Sequence, residues 1–236
     1  MLTELIKRAF QVEQEFVKNL TQAQRRQTGR ADNWSAKDLV AHNAAWKQRH
    51  SENIRAVLRG EEATRVEDYD SENEKLFLAH REKTWEEVLA DAAQVQQALL
   101  GLVQELPAQT LEKYGYFAWQ TDRPLWRTIY GYGYSHPLVH LAEHHRNRGD
   151  RQAAAGMIKL LVDAMQSLQA EPFWQGGLNY NLACYHALSD RPEEAIAELS
   201  TALGLNPEFK AWARQDPDLE SLRMHPGYLA LVEEAA

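Results

Sequence analysis

The chain has 236 residues, 44% hydrophobic and 25% charged, with 26 basic against 34 acidic side chains and a formal charge of −8. That size admits one large or two small domains with a packed core, and the acidic balance excludes a broad phosphate-binding surface, so no nucleic-acid partner is expected. No apolar run approaches the roughly 20 residues of a membrane span, the start Met1-Leu2-Thr3-Glu4 lacks the basic-then-apolar order of a secretory signal, and Cys184 has no second cysteine to pair with; the expected compartment is the cytoplasm.

Nearly every periodic segment reads as helix. From about Thr3 to Arg26, Leu5, Ile6, Ala9, Val12, Phe16, Val17 and Leu20 follow a 3.6-residue period. The loop from Thr28 to Asn33 ends that helix. A second helix opens at Ser35, a good N-cap with Asp38 at N3, and presents Leu39, Val40, Ala44 and Trp46 on one face before Gly60 stops it. A charged connection is expected from Gly60 to Ser71, with a third helix from about Glu72. Thr84-Trp85-Glu86-Glu87 is a capping box opening a helix through Val88, Ala92, Val95, Leu99, Leu102 and Val103. Residues 107–123 read as an irregular link. Pro124 suits the first turn of a last long helix that carries Trp126, Ile129, Tyr130 and a histidine cluster, and ends near Gly149. Gly131, Gly133 and Pro137 inside it cost about 1 kcal/mol per glycine and about 3 for the proline, so a kink, a break or a fresh start at Ser135 are the open alternatives. Four such helices suggest an antiparallel bundle, a common frame for metal sites on facing helices.

The chemistry concentrates in His136-Pro137-Leu138-Val139-His140-Leu141-Ala142-Glu143-His144-His145. Histidines four residues apart share a helix face, and two imidazoles one turn apart can hold one divalent ion. A third ligand must come from elsewhere, and His42 lies in the second helix. Neutral imidazoles with an open position suit Zn²⁺, Ni²⁺ or Fe²⁺ and would lower the pKa of a water or thiol. Glu143 is a candidate partner of a ligand, or a general base. Trp46, Tyr132 and Tyr134 are the candidate substrate-lining aromatics; Trp119, Trp126 and Tyr130 read as core. His50, His80, His186 and His225 have no partner legible in the sequence.

After Gly149 the patterns turn alanine-rich, with no aromatic cluster until Phe173 and Trp174. Residues 176–209, with Leu182, Ala183, Ala195, Leu199, Ala202 and Pro207, resemble one tetratricopeptide repeat. Ala142, Gly149 and Ala154 keep the spacing of Ala183, Asp190 and Ala195, as a weaker copy in which the last bundle helix doubles as the first helix of a repeat. The expected organisation is all-α: a four-helix bundle over 1–149 and repeat-like helical hairpins over 150–236. The second part is expected to cap the first, with capture of a partner protein as the alternative.

Trp34-Ser35-Ala36-Lys37-Asp38 followed by His42, together with Gly131, Tyr134-Ser135-His136, His140 and Glu143-His144, is similar to the DinB/YfiT-like four-helix bundles, especially the ClbS/DfsB-like branch, over about residues 1–149. The resemblance implies a metal held by one histidine of the second helix and two of the last, here His42 with His136 and His140. Many relatives end in His-x-x-His-His-Arg. Aligning on His144-His145-Arg146 puts Leu141 where the first histidine belongs, so His140/His144 stands as the alternative pair. By resemblance the expected function is a metal-dependent small-molecule enzyme, a thiol transferase or a hydrolase of reactive compounds serving detoxification, with a low-molecular-weight thiol as co-substrate. A metal-free small-molecule binding protein and a protein-interaction module are the alternatives, and a homodimer is compatible with either.

Overall fold

The computed structural model describes residues 1–31, 33–168 and 172–232, the side chains of Pro172 and Phe173 excepted. Asp32 of the first loop, the Phe173 side chain and the end of the C-terminal part, 233–236, thus lie outside the described residues. The chain is all-α; among the described residues the only β pairing is two isolated bridges, Arg30 with Asn33 and Tyr114 with Pro124. None of their helices is long and apolar enough to cross a membrane. By its internal contacts the chain divides into Met1–Pro137 and Leu138–Ala236.

In the first unit, α1 spans Leu2–Asn19 and α2 Gln22–Arg26. The single helix expected to Arg26 is broken because Thr21 and Gln24 form a capping box that starts a new helix. Helix α3, Ala36–Leu58, opens on the expected box: the Ser35 backbone N–H donates to Asp38 Oδ2 at 2.9 Å, and Asp38 N–H donates back to Ser35 Oγ at 3.3 Å. Gly60 follows its end at φ +78°, a conformation that favours glycine. Helix α4, Tyr69–His80, begins three residues before the expected Glu72, because the Asp68 carboxylate caps Ser71 N–H. Helix α5, Trp85–Glu105, carries the expected Thr84–Glu87 box. The link after it contains one short turn of helix, α6, Ala108–Leu111. Helix α7, Leu125–Tyr130, then runs into a π-helical turn, Gly131–Ser135, and straight on into α8, His136–Arg146. The costly Gly131, Gly133 and Pro137 are thus absorbed without a break.

Ile6, Ile54, Leu99, Leu102, Val103, Phe117, Leu125 and Ile129 form one apolar core of this unit, and Val40, Ala41, Ala44, Val88 and Ala92 a second between α3 and α5. A polar network lies on α3 as well. Asn43 donates to Glu13 Oε1 at 2.8 Å, and Lys47 Nζ stands 3.6 Å from Glu13 Oε2, with both charged side chains almost wholly buried.

In the second unit α9 spans Arg151–Ser167, α10 Pro172–Leu188, α11 Pro192–Leu205, α12 Phe209–Ala213 and α13 Pro226–Val232, with a 3₁₀ turn at Pro217–Leu222. Helices α10 and α11 form a hairpin around Ala183, Ala195, Leu199 and Ala202, each fully buried. The turn from α8 to α9 and the turn from α10 to α11 use one hydrogen-bond pattern. Arg148, Gly149 and Asp150 donate to His145, Arg146 and His145 carbonyls, and Ser189, Asp190 and Arg191 donate to His186, Ala187 and His186. Gly149 and Asp190 hold equivalent left-handed conformations, φ +77° and +55°. Ala142 and Ala154 are buried as Ala183 and Ala195 are. The likeness between the two segments is thus one of their turns and of these buried alanines.

Candidate metal centre

Helix α3 presents His42, Trp46 and His50 one turn apart on one face. His42 and Trp46 are buried and His50 nearly so. The His42 and His136 rings stack with centroids 5.1 Å apart, and their Nε2 atoms are 3.3 Å apart. His140 follows one turn along α8, the helix within which the division between the two units falls. One ligand nitrogen from each of His42, His136 and His140 lies within 4.8 Å of the others. Two nitrogens bound tetrahedrally at about 2.0–2.1 Å lie about 3.3–3.4 Å apart, so the His42–His136 separation suits a shared ion. The same separation also suits an N–H···N hydrogen bond. An all-imidazole donor set suits Zn²⁺, Ni²⁺ or Fe²⁺.

Glu143 lies 3.2 Å from His140 Nδ1. With Nδ1–H donating to that carboxylate, Nε2 is left as the ligand nitrogen, the arrangement by which carboxylates orient metal-binding histidines. The bond holds the Glu143 carboxyl below its ordinary range, against the upward push of desolvation. His144 is outside this group. Its imidazole is buried, and desolvation, helped by Arg148 and His145, pushes it down to about 4.

An aromatic panel borders the histidines. Trp34 packs on the His42 ring at 4.2 Å, and Trp46 meets His42 and His136 edge-on at 6.3 and 6.4 Å. Tyr69 and Tyr132 stack on Trp46 at 5.5 and 6.1 Å, and the Trp46 indole N–H donates to Asn73 Oδ1 at 3.0 Å. Tyr132 is 5.7 Å from the His136 ring, and burial raises its phenol well above the ordinary value. His50 stacks on Tyr132, and desolvation, with Arg49 beside it, pushes its imidazole down to about 3. Tyr134 is buried, its ring 5.3 Å from that of Tyr130. Reading the sequence alone missed His50, Tyr69 and Asn73. The spacing of His42, Trp46 and His50 was the available signal for the first; Tyr69 and Asn73 reach the panel from α4, a helix without a marked apolar face.

Two other features do not share residues with this histidine group. A cavity of about 380 Å³ between α3 and α5 is lined by residues including Ala41, Ala44, Glu52, Arg55 and Lys83, none of them a member of the histidine group. In the second unit Cys184, Asp216 and Asp218 also come within 4.8 Å of one another. That group is internally satisfied: Tyr180 OH donates to Asp216 at 3.0 Å, Arg146 pairs with Asp218, and burial raises the Cys184 thiol well above its usual range. Cys184 is a core residue, inert as a nucleophile in that state.

Residues 5–147 match the family model described as the DinB superfamily. No curated protein and no solved structure matches the chain.

Proposed function

The chain belongs to the DinB superfamily, and from that premise we propose a metal-dependent small-molecule enzyme, a thiol transferase or a hydrolase of reactive compounds. The observation that carries this reading is the 3.3 Å approach of His42 Nε2 to His136 Nε2 with His140 in ligand reach. The spacing of His136 and His140 favours the ClbS/DfsB-like branch of the family, and the match ending at residue 147 supports a bundle domain over 1–149.

A divalent cation held there would supply Lewis acidity to a water or to a low-molecular-weight thiol. The protein's own part is to hold and orient. The Glu143 carboxylate, 3.2 Å from His140 Nδ1, is placed to accept from it and so leave Nε2 as the ligand nitrogen. Trp46 and Tyr132, stacked on one another beside His136, give the histidines an aromatic surround suited to a planar or apolar substrate. His50 stacks on both rings and adds an imidazole that is neutral at physiological pH.

A second reading rests on a separate observation. The repeated turns at Gly149 and Asp190 favour a tetratricopeptide-like character for residues 150–236, and with it a docking or interaction role.

Metal content by mass spectrometry on untagged protein, wild type beside His140→Ala, tests the first reading. About one ion per chain, lost in the variant, is the expected result. Wild-type protein that stays metal-free after reconstitution sinks it, and leaves His42 and His136 as a hydrogen-bonded pair in a binding protein.

A further inference from the structure

Leu125, Ile129, Tyr132, His136 and His140 recur at helical spacing. In an unbroken α-helix, at about 100° per residue, they would form a single stripe. Here Leu125 and Ile129 are buried in the apolar core with Ile6, Ile54 and Leu99. Tyr132 and His136 meet the His50, Trp46 and His42 rings of α3, and the helix passes through a π-turn between Ile129 and His136.

That π-turn sets the rotation between the two parts of the helix. Its i→i+5 bonding takes up one extra residue, which rotates the helix before it by roughly 100° relative to the helix after it. The His136 N–H reaches back to the Gly131 carbonyl, and Ser135 Oγ donates to the same oxygen at 3.1 Å. Two local features hold the turn. Pro137 has no N–H, and in α register its ring would press on the carbonyl of residue 133. Gly133 packs so closely that a Cβ there would lie 2.9 Å from Ile6 Cγ1 and 3.3 Å from both Ile6 Cδ1 and Leu99 Cδ2.

We infer that Gly133 and the π-turn it seats are positioning elements of the histidine site: they fix the rotation of His136 that brings its Nε2 to His42. Wide turns of this type recur at functional sites because they re-aim side chains without ending the helix. For its functional weight the inference rests on the metal reading, but its geometric content does not.

The test uses the full-length, metal-free protein and three variants: Gly133→Ala, Ile6→Ala, and the two combined. Zn²⁺ affinity is read by calorimetry, ligand geometry by the visible spectrum of the Co²⁺ form, and folding by circular dichroism. Imidazole ¹⁵N NMR signals of His42 and His136 read their contact without metal. Gly133→Ala is expected to keep the helical spectrum while Zn²⁺ affinity falls about 10–100-fold, the range seen when groups that orient a ligand are lost. Its His42 and His136 signals should shift as well. Ile6→Ala alone lowers the melting temperature but keeps the affinity, and the combined variant regains affinity because the space for the new methyl has been made. A folded Gly133→Ala with wild-type affinity, Co²⁺ spectrum and imidazole signals overturns the inference, as does loss without rescue. If Gly133→Ala does not fold, Pro137→Ala carries the test, since it frees the turn to return to α register and should disturb the same signals. Wild-type protein that binds no Zn²⁺ defeats the metal reading alone; the NMR arm then still decides whether Gly133 sets the contact.

Discussion

Helix α3 of the first unit buries Asp38, His42, Asn43, Lys47, Ser51 and Asn53, whereas the α10–α11 hairpin of the second closes on Ala183, Ala195, Leu199 and Ala202. Helix α3 packs closely on α5 as α10 does on α11, and both contacts bury side chains. They differ in what that burial is for. Small apolar residues let two backbones approach and bury area with no desolvation penalty, and the turn that closes this hairpin at Asp190 shares its hydrogen-bond pattern with the one at Gly149. Buried polar groups lower stability unless each is paired. A helix that carries six of them is shaped by demands other than packing, and the histidine site on its adjacent face is one such demand.

The sharpest way to break this comparison is to unpair the interior of α3. Lys47→Ala leaves the Glu13 carboxylate buried with Asn43 as its remaining partner, and should cost about 3–5 kcal/mol in urea unfolding. The paired replacement Glu13→Leu/Lys47→Met removes both charges together, and should lie near wild type or above it. A Lys47→Ala loss below about 1 kcal/mol would mean that water reaches the pair and that the two interiors do not differ as described.

A smaller, pH-dependent effect comes from His50. Its imidazole falls from 6.5 to about 3 in the folded chain, chiefly through desolvation. Between those values the unfolded state binds the proton and the native state does not. The His50 contribution is therefore fully present above about pH 6.5 and is lost as pH falls toward 3. Its steepest slope is about 1.4 kcal/mol per pH unit. His50→Phe should flatten the acid limb of a stability–pH profile measured on metal-free protein. An unchanged acid limb would mean that His50 is hydrated in solution.

How much of this was legible beforehand follows the same division. Capping boxes at Ser35 and Thr84 and the end of α3 at Gly60 were readable, because each depends on residues within a turn or two of one another. The helix breaks at Thr21 and the early start of α4 at Asp68 were local too, but their single polar caps sat within longer periodic or charged patterns that masked them. His42, His136 and His140 could be named as a set, yet their approach could not be derived from spacing. The chain passes through a π-turn just before His136, and Gly133 of that turn packs against Ile6, distant in sequence. The Tyr69 and Asn73 contributions were hidden for the same reason: they are set by how α4 lies on α3.

The least disruptive prediction probes the second unit's repetition directly. A Cβ at Gly149 would meet nothing within 4 Å, so substitution there acts through the backbone alone. At φ +77° an L-residue pays about 1–2 kcal/mol, partly offset because alanine restricts the unfolded chain by about 0.4–1 kcal/mol relative to glycine. Gly149→Ala should therefore lose about 1 kcal/mol. Asp190 already occupies the equivalent conformation at φ +55°, and aspartate tolerates it better than alanine does because its short side chain can hydrogen-bond locally. Gly149→Asp should then lie closer to wild type than Gly149→Ala, and Asp190→Ala should lose less than Gly149→Ala, by about what Gly149→Asp costs. Thermal unfolding of the three variants would resolve these differences. If Gly149→Asp proves as costly as Gly149→Ala, the two turns share a hydrogen-bond pattern but not an energetic role.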